Sequence, residues 1–150
     1  MTDNLRALEE WAGALLAKLE PGERRRLNQQ IGRSLRRSQQ QRIATQRNPD
    51  GTPFAKRKPR QLRDKAGRIK RQMFAKLRQA KHLKLQSTPD AIAIGFMGRV
   101  ARIARVHQYG LRDRPGKGTP DVQYDRREVL GFTEADLEMI RDSLLSHFSK

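Results

Sequence analysis

Residues 83–96 read Leu83-Lys84-Leu85-Gln86-Ser87-Thr88-Pro89-Asp90-Ala91-Ile92-Ala93-Ile94-Gly95-Phe96. Leu83 and Leu85 alternate with polar neighbours, and Ile92, Ile94 and Phe96 alternate with Ala91, Ala93 and Gly95. That two-residue period belongs to strands. Ser87-Thr88-Pro89-Asp90 between them is turn chemistry, so the stretch predicts a hairpin. The small residues on the second strand predict close packing of one face against a helix or another strand. The flanking sequence has helical periodicity, so the fold class is α+β, with a small antiparallel sheet.

On the N-terminal side, Leu62, Ala66, Ile69, Met73, Leu77 and Ala80 recur at helical spacing between Arg60 and His82, with Gly67 weakening the pattern. Before them, Asn48-Pro49-Asp50-Gly51 is a turn: proline presets φ, aspartate bonds its own backbone, and glycine accepts positive φ. Residues 48–59 read as an exposed loop. Further back, Leu5, Leu8, Trp11, Ala12, Leu15, Leu16 and Leu19 fall on one face of a helix over residues 3–19. Pro21 suits the first turn of a second, strongly basic helix reaching to about Gln46. Its apolar stripe is thin (Leu27, Ile31, Leu35, then Ile43), which predicts packing on one side only or against a partner chain. The two helices form an αα-hairpin.

On the C-terminal side, Val100, Ile103, Ala104 and His107 mark a helix ending at Gly110, a natural cap. Leu111 to Gln123 is an irregular loop, and a short strand is expected around Val122 to Tyr124. Thr133 is placed to cap a last helix with Asp136 at the capping-box position, and Leu137, Ile140, Leu144 and Phe148 line one face. The organisation is a single domain over 1–150: a helical hairpin at 1–47, the loop at 48–59, and an α+β core at 60–150.

The chain has 150 residues, of which 35% are hydrophobic, enough for one modest core. It has no cysteine, which excludes disulfides, thiol catalysis and zinc-finger ligation. Residues 1–10 carry three acids and no apolar run, unlike a secretion signal. The net charge is +17, and residues 21–88 hold 21 basic and three acidic side chains, a net of +18 between two mildly acidic ends. A polycation of that size seeks phosphate or an acidic protein surface. Membrane-surface binding is disfavoured, because the basic helices lack a broad apolar face with aromatic anchors.

No constellation for catalysis emerges. His82, His107 and His147 are far apart and form no metal-binding pair, and no serine or acid occupies a nucleophile motif. Residues 48–52 lack the repeated acids and terminal glutamate of a calcium loop. Gly116-Lys117-Gly118-Thr119 lacks the spacing and following helix of a phosphate loop. No cofactor, metal or small-molecule substrate is expected, and the chain does not read as an enzyme.

Three stretches remain. The first runs from Ile31-Gly32-Arg33-Ser34-Leu35-Arg36-Arg37-Ser38 on to Arg47-Asn48-Pro49-Asp50-Gly51-Thr52-Pro53-Phe54. The second is Ala104-Arg105-Val106-His107-Gln108-Tyr109-Gly110-Leu111. The third is Tyr124-Asp125-Arg126-Arg127-Glu128-Val129-Leu130-Gly131-Phe132-Thr133. In order and spacing they resemble the phage virion morphogenesis family, the tail-completion proteins of temperate contractile-tailed and Mu-like phages, over nearly the whole chain. Many members of that family have tryptophan near the position of Phe54, and the loop from Arg112 to Pro120 also departs from the pattern.

The resemblance implies a structural assembly protein of the neck or tail terminus, needed for tail completion and head–tail joining. It implies a ring homo-oligomer with other tail or neck proteins as partners, and a place in the host cytoplasm during assembly and then in the virion. Phe54, His107, Tyr109, Gly110, Arg127, Leu130 and Phe132 are the expected fold-organising or interface positions. Lys56, Arg57, Lys58, Arg60, Arg63, Lys70 and Arg71 are expected to face a polyanion, which could be virion DNA bound non-specifically. The alternative is a small basic nucleic-acid-binding regulator, which sequence preference on short duplexes would reveal.

Overall fold

The computed structural model describes residues 2–56 and 73–149. The order of elements is α1 (Thr2–Leu16), α2 (Pro21–Ala44), β1 (Leu83–Ser87), β2 (Ile92–Phe96), α3 (Arg99–Tyr109), β3 (Arg112–Asp113), β4 (Val122–Gln123) and α4 (Glu134–Phe148). These elements give the expected α+β class, with two two-stranded sheets, β1–β2 and β3–β4. They gather into two compact units. One comprises Met1–Ser38, Lys84–Gly95 and Phe132–Lys150, and the other Gln39–Leu83 and Phe96–Gly131.

The core of the first unit is the apolar stripe of α2. Leu27, Ile31 and Leu35 are buried with Leu144 of α4, and Trp11, Ala12 and Leu16 of α1, Ile92 and Ile94 of β2, and Met139 and Ile140 of α4 close around them. Gly32 lets the β1–β2 hairpin approach: a Cβ there would lie 2.5 Å from Leu85 Cδ1 and 3.2 Å from Ile92 Cγ2. One turn back, Asn28 is buried and its Nδ2 donates to the carbonyl of Thr88 at 2.9 Å, in the hairpin turn. The start of α4 is closed by the capping box: Asp136 N donates to Thr133 Oγ1 and Thr133 N to Asp136 Oδ2, both at 3.0 Å. Ser38 donates its hydroxyl to the same buried carboxylate.

The core of the second unit holds Ile43 of α2, Leu77, Ala104 of α3 and Val129, with Phe74, Phe96 and Val100 packed against them. The Asn48 turn has the expected construction. Gly51 takes φ 91°, and Asp50 Oδ1 accepts from Thr52 N at 2.9 Å. Phe54 is buried just after it.

The helical period between Arg60 and His82 does not give a helix over its described part. Residues 73–82 form successive turns. Phe74 adopts φ 66°, in the left-handed region where a helix cannot continue, and its ring packs edge-on to Phe54 and His107. The earlier part of that period lies outside the described residues. Strand β3 was not foreseen; Arg112 pairs with Gln123 and Asp113 with Val122, antiparallel, and two residues are too few to show alternation.

Candidate assembly surface

The segment Asp125 to Gly131 lies outside any helix or strand. Such a segment cannot satisfy its own backbone groups, so other parts of the chain must do it. In the second unit they do from Arg127 to Gly131. Arg127 N donates to the carbonyl of His107 at 2.7 Å. Glu128 N donates to Asn48 Oδ1 at 2.9 Å. Arg42 donates through Nη1 to the carbonyl of Glu128 at 2.8 Å and through Nη2 to that of Val129 at 2.9 Å. Gln108 grips Leu130, with Nε2 donating to its carbonyl at 2.8 Å and Oε1 accepting from its N–H at 2.9 Å. Gln39 grips Gly131 the same way, at 2.8 and 3.2 Å. Gln46 repeats the device on Met73, at 2.8 Å for both bonds. Gly131 is glycine for lack of room: a Cβ there would lie 2.4 Å from Pro49 Cγ.

Arg127 is itself an anchor, at 4% exposure. Its Nε donates to the carbonyl of Ala55 at 2.7 Å and its Nη2 to that of Lys56 at 3.1 Å, so it ties the end of the Asn48 loop to the segment. Its Nη1 lies 3.2 Å from His107 Nδ1. Arginine only donates, so Nδ1 is the accepting nitrogen of that ring. The rings of Phe54, Phe74, His107 and Tyr124 form an edge-to-face series with centroids 5.7, 4.8 and 5.1 Å apart.

Above this framework stands α3. Gly110 caps it in the left-handed conformation (φ 61°, ψ 58°). A Cβ on Gly110 would come within 3.0 Å of Arg126 N, so the cap and the segment touch backbone to backbone. An open groove of about 450 Å³ runs beside the helix, lined by Phe96, Ala104, Arg105, Gln108, Tyr109, Val129 and Leu130. Tyr109 is 63% exposed, and Met97, Ile103 and Leu111 are exposed nearby in sequence.

Two carboxylates of this unit are held below their ordinary range. The hydroxyl and N–H of Thr52 do this to Asp50, and the ion-paired guanidinium of Arg102 does it to Asp113, while Arg102 is raised in return. Asp50 is exposed, and Asp113 is half-buried beside an exposed Arg102, where a pair open to water contributes little. Among the described residues no three His, Asp or Glu side chains converge to hold a metal.

The second unit thus brings together Phe54, His107, Tyr109, Gly110, Arg127 and Leu130. Phe132 belongs to the other unit and packs against its core. Lys56 is exposed, and its backbone carbonyl serves Arg127. Arg57, Lys58, Arg60, Arg63, Lys70 and Arg71 lie outside the described residues.

These arrangements fall on the three stretches singled out in the sequence, and comparison with known proteins covers them all. Residues 3–149 match the phage virion morphogenesis family. The chain belongs to that family. It is 38% identical over 149 residues to tail completion protein S of Escherichia phage P2, covering 99% of each chain. No solved structure matches. In this virion morphogenesis protein, sequence reasoning missed Asn28, Gln39, Gln46 and Gln108, and did not recognise Arg42 as buried. A signal existed for three of them: Asn28, Gln39 and Arg42 continue the thin stripe of α2, each near a buried apolar residue at helical spacing. Among the described residues, no helix is long and apolar enough to cross a membrane.

Proposed function

We propose that this chain is a structural assembly protein that acts in phage tail completion and head–tail joining, and that it performs no catalysis. The observation that carries the reading is the match to tail completion protein S of Escherichia phage P2 over 99% of both chains. The side-chain chemistry supports it. The polar groups that converge in the second unit converge on backbone carbonyls and N–H groups, as fasteners do. Two arginines, Arg42 and Arg127, are buried in this work rather than offered to phosphate.

In this reading the whole chain acts as one virion-morphogenesis domain. It works as an oligomer on the tail axis, with other tail or neck proteins as partners, in the host cytoplasm and then in the particle. Phe54, His107, Tyr109, Gly110, Arg127, Leu130 and Phe132 organise the fold or the subunit contacts. Lys56, Arg57, Lys58, Arg60, Arg63, Lys70 and Arg71 face a polyanion.

The test is electron microscopy of a lysate from phage carrying an early stop codon in this gene. DNA-filled heads beside unjoined tails are expected, and tail-length defects would place the action at the tube terminus. Loss of heads and tails alike would overturn the assembly reading in favour of a regulator of late expression.

A further inference from the structure

The helices α3 and α4 each present one exposed stripe, and the two are complementary. On α3, Arg102, Arg105 and Tyr109 lie at positions i, i+3 and i+7, all exposed. On α4, Glu138, Asp142 and Leu145 lie at i, i+4 and i+7, also all exposed. Each stripe has two like charges followed by a large apolar side chain, and the charges are opposite. Tyr109 is 63% exposed, Ile103 on α3 is 52% and Leu145 is 48%. Among the described residues, Leu145 is the one exposed large hydrophobe outside the 97–111 stretch.

The surrounding charges preserve the contrast. Arg99 adds a cation at the start of α3, and Asp113 offsets Arg102 by pairing with it. Glu134 adds an acid to α4, and Arg141 offsets one. The α3 side keeps two net positive charges and the α4 side two net negative. Among the described residues, no ion pair joins Arg99, Arg105, Glu138 or Asp142 to another side chain.

We propose that the α3 face carrying Arg102, Arg105 and Tyr109 of one copy of this chain binds the α4 face carrying Glu138, Asp142 and Leu145 of the next copy. This rests on the self-association in the proposed function and assigns its surfaces. Both stripes run over seven residue steps, about 10.5 Å at a helical rise of ~1.5 Å per residue. Laid parallel, they set Arg102 beside Glu138, Arg105 beside Asp142 and Tyr109 beside Leu145. The groove beside Arg105 and Tyr109 receives the leucine, as a groove receives the apolar face of a helix. The two faces differ, so the contact is head-to-tail, and each copy keeps one face open for a further copy. Such a contact closes into a ring or runs on as a filament.

The test is sedimentation equilibrium of the full chain at physiological salt, with Arg105→Glu, Asp142→Arg and the double variant R105E/D142R. The wild type is expected to self-associate. Each single variant should weaken association about tenfold or more, because it sets like charges against each other, and the double variant should recover most of the loss. Both positions of charge reversal are at the surface, and circular dichroism melts of the variants should match the wild type. Self-association unchanged by the single variants would overturn this assignment while leaving the assembly role standing. A monomeric wild type would overturn it as well. The stop-codon phage reports on the assembly role independently.

Discussion

Gln108 and Leu130 are joined by two antiparallel hydrogen bonds, side-chain amide against backbone amide, at 2.8 and 2.9 Å. The pairing works only because glutamine presents a donor and an acceptor side by side. Gln108→Glu keeps size and shape but turns the donor into a second acceptor, aimed at the Leu130 carbonyl. The carbonyl is then left partly buried without its partner, a loss of about 1–3 kcal/mol. Urea denaturation should show that loss with an unchanged slope. A stability equal to wild type would mean that the segment is held without Gln108.

Arg127→Lys tests geometry against charge. The guanidinium reaches Ala55, Lys56 and His107 from three nitrogens at once. A lysine keeps the positive charge but not the planar fork, and at 4% exposure water does not replace the missing donors. The expected cost is about 2–3 kcal/mol, seen as a lower thermal midpoint. If the lysine variant melts with the wild type, the buried arginine serves charge alone.

Gly110→Val attacks the cap of α3. A β-branched residue at φ 61° is strained, and its Cβ would sit 3.0 Å from Arg126 N. We expect about 2 kcal/mol or more of destabilisation and, in phage, failure to join heads and tails. Gly110→Asn should fall between the two, because asparagine tolerates the left-handed region. Normal phage yield from the valine variant would remove the cap from the account of assembly.

These three residues show what was legible. Gly110 and the Thr133–Asp136 capping box announce themselves locally, since a cap depends on neighbours within one turn. So do six apolar positions of α1, with Leu19 just beyond its end, and the alternation of Leu83, Leu85, Ile92 and Ile94. Arg127 was singled out by a motif but not by its chemistry, because its partners lie about 70 and 20 residues away in sequence. Gln46 and Gln108 were illegible for a related reason, and Gln39 and Arg42 were marked only by their place on the α2 stripe. In a chain this basic, a buried arginine looks like any surface arginine, and a glutamine that grips a distant peptide looks like a solvated one. The turns over 73–82 escaped because Phe74 takes a left-handed conformation that only its ring contacts explain.

Asp113 and Asp50 give a pH dependence of fixed sign. Both carboxyls are held below their ordinary value of 3.8, Asp113 by Arg102 and Asp50 by Thr52. A carboxylate with a lowered folded pKa contributes stability that is present above the unfolded value and lost as pH falls through the folded one. The contribution therefore disappears as the pH drops below 3.8. Asp50 is exposed and Asp113 pairs with an exposed Arg102, so the effect is small. Asp113→Asn should lower the thermal midpoint slightly at neutral pH and leave it unchanged well below pH 3.8, so the acid limb of a plot of midpoint against pH becomes shallower. An acid limb as steep in the variant as in the wild type would assign the acid sensitivity elsewhere.

Gly131→Ala separates close approach from backbone freedom. Gly131 has no positive φ, so alanine suits its backbone. The obstacle is Pro49, whose Cγ would lie 2.4 Å from the new methyl group and whose Cβ would lie 3.1 Å away. The ring is constrained within the Asn48 turn, and Asn48 Oδ1 also holds Glu128 N, so neither wall of the contact can retreat alone. Overpacking of this kind costs about 1–3 kcal/mol. The companion variant Pro49→Ala removes the Cγ atom and should recover part of the loss when combined with Gly131→Ala. Such coupling in a double-mutant cycle would establish the contact between the turn and the segment. Additive losses would show instead that Gly131 is required for a reason other than Pro49, and the account of the segment as a strap fastened to the Asn48 turn would have to rest on Asn48 and Arg127 alone.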